Sequence, residues 1–388
     1  MTFKTSSEHI TLATSLALEF AETAIIRDSQ GGTPKKERDR LRESGLLKLI
    51  IPEKYGGIGE NWIAMLRVTR ELAKVDSSLA HVFSYHHIGV VIPHIFGTQS
   101  QQEYYYTKTV ENNWFWCNAL NPRDTTTILT QKKDCFFING KKSFCSGSVD
   151  SDILPLSAIN ETTKEVIVLI IPSQRKGVTI NSDWDNMGQR QTDSGTIDFD
   201  HVIVYPHEII GARYNQKSNF INIRSCITQL NLANIYLGIA EGAFLAAKNY
   251  TQHYKKPWDA NVSVAEDPYI LQHYGNMYVD LQAANLLIEK AANLLQESWQ
   301  QEHNLTLEKR GECMLAVNNA KIMAQRVGLD ITNRIFEVMG ASSTNNKYGF
   351  DRYWRNMRTF TLHDPIDYRI KEVGKWALND QFPHTRAY

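Results

Sequence analysis

The short β-branched segments of this chain are gathered in one central block, and that segregation constrains the fold more than any other feature. Ile128–Thr130, Cys135–Ile138, Lys142–Cys145, Ile153–Ala158, Val166–Ile171, Val178–Ser182 and Gly195–Phe199 are rich in β-branched or aromatic residues and separated by turn formers. Residues 7–115 and the chain after Gly211 follow helical periodicity instead. A doubly wound nucleotide-binding fold needs strands alternating with helices, and no G-x-G-x-x-G follows any of these segments. The order predicts a mainly α chain with a β domain: a helical region over 1–117, an antiparallel barrel or sandwich over 118–213 and a helical bundle over 214–388. Asn139-Gly140, between two β-prone runs, predicts a two-residue hairpin turn.

Within the first region His9–Arg27, Pro34–Glu43, Trp62–Val75 and Ser77–Phe96 carry the helical pattern. In the last, Asn219–Tyr254, Pro268–Gln301 and Thr306–Met339 are each long enough for roughly 50 Å of helix, with Gly340 as the stop of the third. Apolar faces that wide predict a bundle that also covers helices of a second subunit. Lys and Arg together number 42, as do Asp and Glu, which argues against nucleic acid or an anionic membrane as partner. The start of the chain lacks a basic, apolar leader, and no run of about 20 apolar residues stands out, so a soluble cytoplasmic protein is expected. Five cysteines without a C-x-x-C pair fit a reducing compartment and give no zinc motif.

Three stretches carry candidate chemistry. Tyr348–Tyr368 concentrates aromatic, basic and acidic side chains before Pro365, which predicts a helix break at about His363–Asp364. Asp364 has two readings there, the N-cap of a helix with Pro365 at its first position or a site residue, and Arg352, Arg355 and Arg358 at three-residue spacing read as a solvated face. Gly140–Ser148 ends a strand in hydroxyls and small residues, and Trp184–Phe199 is a loop of turn formers and donors that enters a strand.

Taken in this order, the segments resemble the acyl-CoA dehydrogenase fold family, whose N-terminal helical domain, middle β domain and C-terminal four-helix bundle match the layout above. One departure is instructive. Where the dehydrogenases carry Tyr-Glu-Gly-Thr, with a catalytic glutamate, this chain has His363-Asp364-Pro365-Ile366, whose carboxylate arm is one methylene shorter. Phe144–Gly147, Asp183-Trp184, Arg190–Gly195, Asn234–Ala240, Glu266–Tyr269, Tyr348–Arg352, Trp354–Asn356 and Leu362–Pro365 resemble instead the flavin monooxygenase branch, and within it the dibenzothiophene monooxygenase group with its sulfinate- and sulfone-acting relatives.

That resemblance implies a two-component system. A separate NAD(P)H:flavin reductase supplies reduced FMN, O2 is the co-substrate, and a C4a-hydroperoxyflavin oxygenates a small organosulfur or related substrate. It implies Ser146 at the flavin ring edge, Asn118 bonding flavin or peroxide, Trp184, Arg190 and Ser194 at the cofactor, and Lys256, before Pro257, at its phosphate in a homotetramer. His86 or His87, with His363 and Asp364, would flank the oxygen site, and spacing does not choose within the pair. Tyr85, Leu120 and Phe144 would wall the substrate pocket. The alternative activity is an acyl-CoA dehydrogenase using FAD, which needs a free carboxylate base.

Overall fold

In the computed structural model, which describes residues 7–133, 135–211 and 218–383, helices α1 (Ser7–Gln30), α2 (Lys35–Glu43), α3 (Trp62–Ala73), α4 (Ser77–Val90), α5 (Ile92–Phe96) and α6 (Gln99–Asn112) precede the sheet. Their starts are written in the sequence: Asn61, Asp76 and Thr98 each accept a backbone N–H of the turn that follows. The single helix expected over Ser77–Phe96 is two. Pro93 has no N–H to give and biases the residue before it away from helix, so the chain breaks at Val91. Every residue of α4 is buried, which makes it the central rod of the molecule.

One continuous sheet follows, from strands β1 (Ile128–Lys132), β2 (Cys135–Lys142), β3 (Ile153–Asn160), β4 (Val166–Pro172), β5 (Val178–Ile180), β6 (Ile197–Val204) and β7 (Ile209–Gly211), in the order β5-β6-β2-β1-β3-β4-β7. β1 and β3 run parallel and the other neighbours antiparallel, so the sheet is mixed. Leu129, Ile138, Leu154, Leu156, Leu169, Ile197 and Val202 pack on its inner side.

The hairpin expected at Asn139-Gly140 is absent because β2 passes straight through those residues. Gly140 is there for a close approach: at φ +123°, its missing Cβ would fall 2.1 Å from the Thr126 carbonyl oxygen, and the register against β6 slips between Ile138 and Gly140. The reversal lies one strand earlier, where Lys132 pairs with Cys135. Nor does a strand continue over Lys142–Cys145. Phe144 turns left-handed at φ +57°, and the chain leaves β2 to meet Asn118 through a single bridge at Ser146.

The bundle consists of α7 (Ile223–His253), α8 (Pro268–Gln301) and α9 (Leu307–Met339), followed by α10 (Asp351–Thr361) and α11 (Ile366–Asn379). Gly340, at φ +80°, ends α9 as expected. Gly242 lets α7 lie against the end of α3, since a Cβ there would sit 1.9 Å from the Lys74 carbonyl. The expectation about apolar runs needs correction. Ser7–Gln30 and Asn219–His253 are both long and apolar enough to cross a membrane, and most of the second is buried inside the bundle, as a core helix is. The boundary expected at 213/214 lies outside the described residues.

Candidate active site

Where the β domain meets the helices, three hydroxyls form a chain. Ser146 Oγ lies 2.9 Å from Ser194 Oγ, which lies 2.8 Å from Thr192 Oγ1, and Thr192 donates to the Gln189 carbonyl at 3.0 Å. Asn118 donates its backbone N–H to the Ser146 carbonyl, while its half-buried side-chain amide has no hydrogen-bond partner among the described residues. Trp184 donates Nε1–H to the Gln189 carbonyl at 2.8 Å and meets the exposed Phe144 ring edge-on at 6.1 Å. The 184–195 loop is held from two sides. Gln189 donates its amide to Ser77 Oγ on α4 and receives, at its backbone N–H, the Asn356 side chain of α10 as acceptor.

Those two anchors start a seam between α4 and α10, and each further helical turn along it adds a polar group. One turn past Ser77 and Asn356, the His81 ring packs 4.8 Å from the Phe360 ring. Another turn on, Tyr85 stacks 4.3 Å from His81, and its hydroxyl lies 3.3 Å from His363 Nε2. His81 is 4% exposed, and neither of its ring nitrogens has a hydrogen-bond partner among the described residues. Burial, then the neighbouring His363, pushes its pKa down to about 3, so the ring is neutral and unpaired. Such an orphaned imidazole is costly in a core and suited to a ligand.

Beyond His363 stands a charged hub. His363 Nδ1 is 3.3 Å from Asp364 Oδ1, an oxygen that also receives the ammonium of Lys321 on α9, and Arg369 Nε of α11 is 3.4 Å from Oδ2. Burial alone would raise the Asp364 pKa, but the His363 bond and the Lys321 charge together hold it well below the usual carboxylate range. Lys321 is wholly buried and also donates to Gln229 Oε1 of α7. Burial pushes its pKa down to about 8 against the pull of Asp364. Tyr236 closes this end by donating to the Phe360 carbonyl at 3.0 Å.

Family models for the N-terminal, middle and C-terminal domains of acyl-CoA dehydrogenase match residues 8–113, 119–202 and 230–368. A probable FMNH2-dependent monooxygenase of Pseudomonas putida, SfnC, is 48% identical over 98% of this chain and 97% of its own. The structure of the methanesulfinate monooxygenase MsuC of Pseudomonas fluorescens superposes with a TM-score of 0.95 at 47% identity, covering 97% of this chain and 98% of that one. The FMN-bound structure of the dibenzothiophene monooxygenase TdsC of Paenibacillus sp. A11-2 does so with 0.93 at 39%, covering 98% and 99%. The chain belongs to the acyl-CoA dehydrogenase family, in its flavin monooxygenase branch.

Several family-derived expectations change once side chains are in place. His86 is committed to backbone at both nitrogens, with Nε2 2.8 Å from the Leu47 carbonyl and Nδ1 accepting from Trp116 N–H at 3.1 Å. It is a core histidine, pushed by burial to about pKa 3, and cannot also face a flavin. His87 is fully buried against Phe83, and neither of its ring nitrogens has a hydrogen-bond partner among the described residues, but it lies away from the Tyr85 side of the helix. The histidine on the Tyr85 face is His81, four residues before it, a spacing that sequence alone could have used.

Arg190 reaches away from the hydroxyl chain, donating to the Asp28 carbonyl at 2.7 Å and the Ser29 carbonyl at 3.5 Å near the end of α1. Arg352 and Arg355 are not a solvated face. Arg352 is buried on the Gly349 carbonyl and Tyr353, and Arg355 binds Asp28, Asp351 and the Met187 carbonyl.

Asp364 does not cap α11, whose N-cap position is Pro365 without any side-chain bond. Leu120 is buried in the helical core, whereas Phe144 is 64% exposed. Lys256 is exposed in the link between α7 and α8. From Tyr236 to the end of α7 the rise is about 25 Å, so Lys256 does not reach the site of its own chain. Gln189, Gln229 and Lys321 were missed by the sequence reading because each acts through partners distant in the chain, whereas Thr192 and Arg369 bond Ser194 and Asp364 within a few residues, a spacing that could have found them.

Proposed function

We propose that this chain is the oxygenase of a two-component system that uses reduced FMN, delivered by a separate flavin reductase, and O2 to oxygenate a small organosulfur substrate. The observation that carries this reading is the state of the one acid in the seam. Asp364 is held between Lys321, Arg369 and His363, so no free carboxylate stands there to take a proton from an acyl-CoA carbon. What the seam offers instead is His81, Tyr85 and His363, neutral or exchangeable donors suited to a developing negative oxygen. The names of SfnC and MsuC point to FMNH2 and to a sulfinate among possible substrates.

The residues fit a flavin. Ser146 and Ser194 put hydroxyls beside the unpaired Asn118 amide, Trp184 and Phe144 offer aromatic edges, and the buried His81 nitrogens await a polar partner. When bound, reduced FMN would supply the electrons, and O2 the oxygen atom that is transferred. Ser146, Ser194 and Asn118 would hold the ring edge, while His81 and Tyr85 exclude water and donate toward the oxygen. His363 returns a proton through Nε2, its Nδ1–H being fixed on Asp364.

A homotetramer follows the same reading. Val279 and Leu286 on α8 and Leu378 on α11 are more than half exposed, and a groove of about 270 Å3 is lined by Leu287, Ile322, Met323, Ile370 and Val373. Lys256 would then serve the flavin phosphate of a neighbouring subunit.

The test is turnover with chemically reduced FMN and O2 on methanesulfinate, dibenzothiophene and indole, with oxygenated product measured by mass spectrometry. Product from one of these supports the proposal. Reduction of bound FAD by an acyl-CoA, with no oxygenated product, overturns it.

A further inference from the structure

The mechanism above leaves Lys321 unused, yet a fully buried lysine is rare and needs a reason. We propose that Lys321 is a positioning residue that sets the proton affinity of the His363 imidazole through the Asp364 carboxylate. Two cations and an imidazole converge on that carboxylate. Lys321 and His363 share Oδ1, Arg369 approaches Oδ2, and Gln229 holds the Lys321 ammonium from the far side.

The consequence is electrostatic. A buried carboxylate facing His363 alone would hold that ring as imidazolium, unable to cycle a proton with the oxygen site. Lys321 offsets this charge without touching His363; its own side chain is 0% exposed, while that of His363 is 40% exposed, so the effect reaches the ring partly screened. The remaining groups around His363 do not supply the same control. Tyr85 and His81 on α4 and Tyr236 on α7 are neutral at pH 7, since burial raises both phenols and lowers the imidazole. Arg224 of α7 acts on Tyr85, and Glu372 of α11 is shared by Arg369 and Asn318. The depressed pKa of Lys321, about 8, adds that its charge fades above neutrality, which would tighten the hold of Asp364 on His363 in alkaline solution.

The assignment of His363 to the oxygen site rests on the proposed function, but the measurement does not. In the full-length chain with carbon-13-labelled histidine, the His363 resonance is identified by its loss in His363→Ala and titrated without flavin, O2 or substrate. Lys321→Met should raise the His363 midpoint by about one pH unit or more, the size expected when a neighbouring charge changes. Lys321→Gln, which keeps a hydrogen bond to Asp364 without the charge, should do the same if the methionine variant does not fold. Where a variant turns over, the His363-dependent limb of its pH profile should move upward with the midpoint. A midpoint that stays at the wild-type value, or falls, in a folded variant overturns the proposal and leaves Lys321 a structural ion-pair partner only. If the midpoint rises while no oxygenated product is ever found, the relay stands and the monooxygenase reading fails.

Discussion

Helix α4 has two faces, each carrying buried histidines with depressed pKa values, and the faces do opposite things. On the core face, His86 bonds the Leu47 carbonyl and the Trp116 N–H, tying the chain after α2 to the entry of the sheet. On the site face, His81 is buried too, but neither of its ring nitrogens has a hydrogen-bond partner among the described residues, and it looks along a seam shared with Tyr85 and His363. Burial alone does not mark a functional histidine. The hydrogen-bond account removes His86, because a ring with both nitrogens on backbone has nothing left to offer a ligand. Position then separates His81, beside Tyr85 and His363, from the equally unpaired His87 against Phe83.

Acid is the bluntest way to probe this contrast. His81 and His86 stay neutral in the fold down to about pH 3, whereas the unfolded chain protonates them near 6.5, so acid favours the unfolded state. Stability should be complete above about pH 6.5 and fall by several kcal/mol as pH drops toward 3, and His86→Ala should lose less over that window. Urea titrations across this range check both statements.

The hub beside His363 sharpens the comparison next. Asparagine could replace aspartate as a helix cap, but not as the counter-charge of Lys321 and Arg369. Asp364→Asn should therefore destabilise the fold by about 4 kcal/mol, as when one partner of a buried ion pair is removed. A melting temperature close to wild type would restore the cap reading. On the core face, His86→Ala leaves a carbonyl and an amide unpaired in the interior and should cost about 3 kcal/mol by denaturant unfolding. Tyr85→Phe removes only the hydroxyl facing His363. It should slow turnover roughly tenfold, about 1.4 kcal/mol, with little change in unfolding midpoint.

How far the sequence could see follows from the same residues. The bundle helices were legible almost to the residue, because Pro268–Gln301 and the chain up to Gly340 carry their caps, stop and apolar period locally. The layout of helix, sheet and bundle was legible for a similar reason. What failed were local signals overruled from afar. Asn139-Gly140 has hairpin chemistry, yet β6 and Thr126 impose a continuous strand with a bulge. Asp364 has capping chemistry, yet an ammonium 43 residues upstream claims it. Arg190 lies inside a flavin-site motif, yet its donors find the end of α1, more than 150 residues before it. The adjacent His86-His87 pair drew attention that helical spacing from Tyr85 would have sent to His81.

The central claim is that the site face, not the core face, of α4 handles oxygen, and one side-by-side measurement addresses it. Product and hydrogen peroxide formed per FMNH2 oxidised are determined for His81→Ala and His86→Ala, each corrected for its folded fraction. The account predicts a roughly hundredfold loss of product with peroxide released instead in the His81 variant, as when a donor to developing negative charge is deleted. It predicts wild-type product yield per folded molecule in the His86 variant. Full product yield from His81→Ala together with uncoupled peroxide from His86→Ala would contradict it.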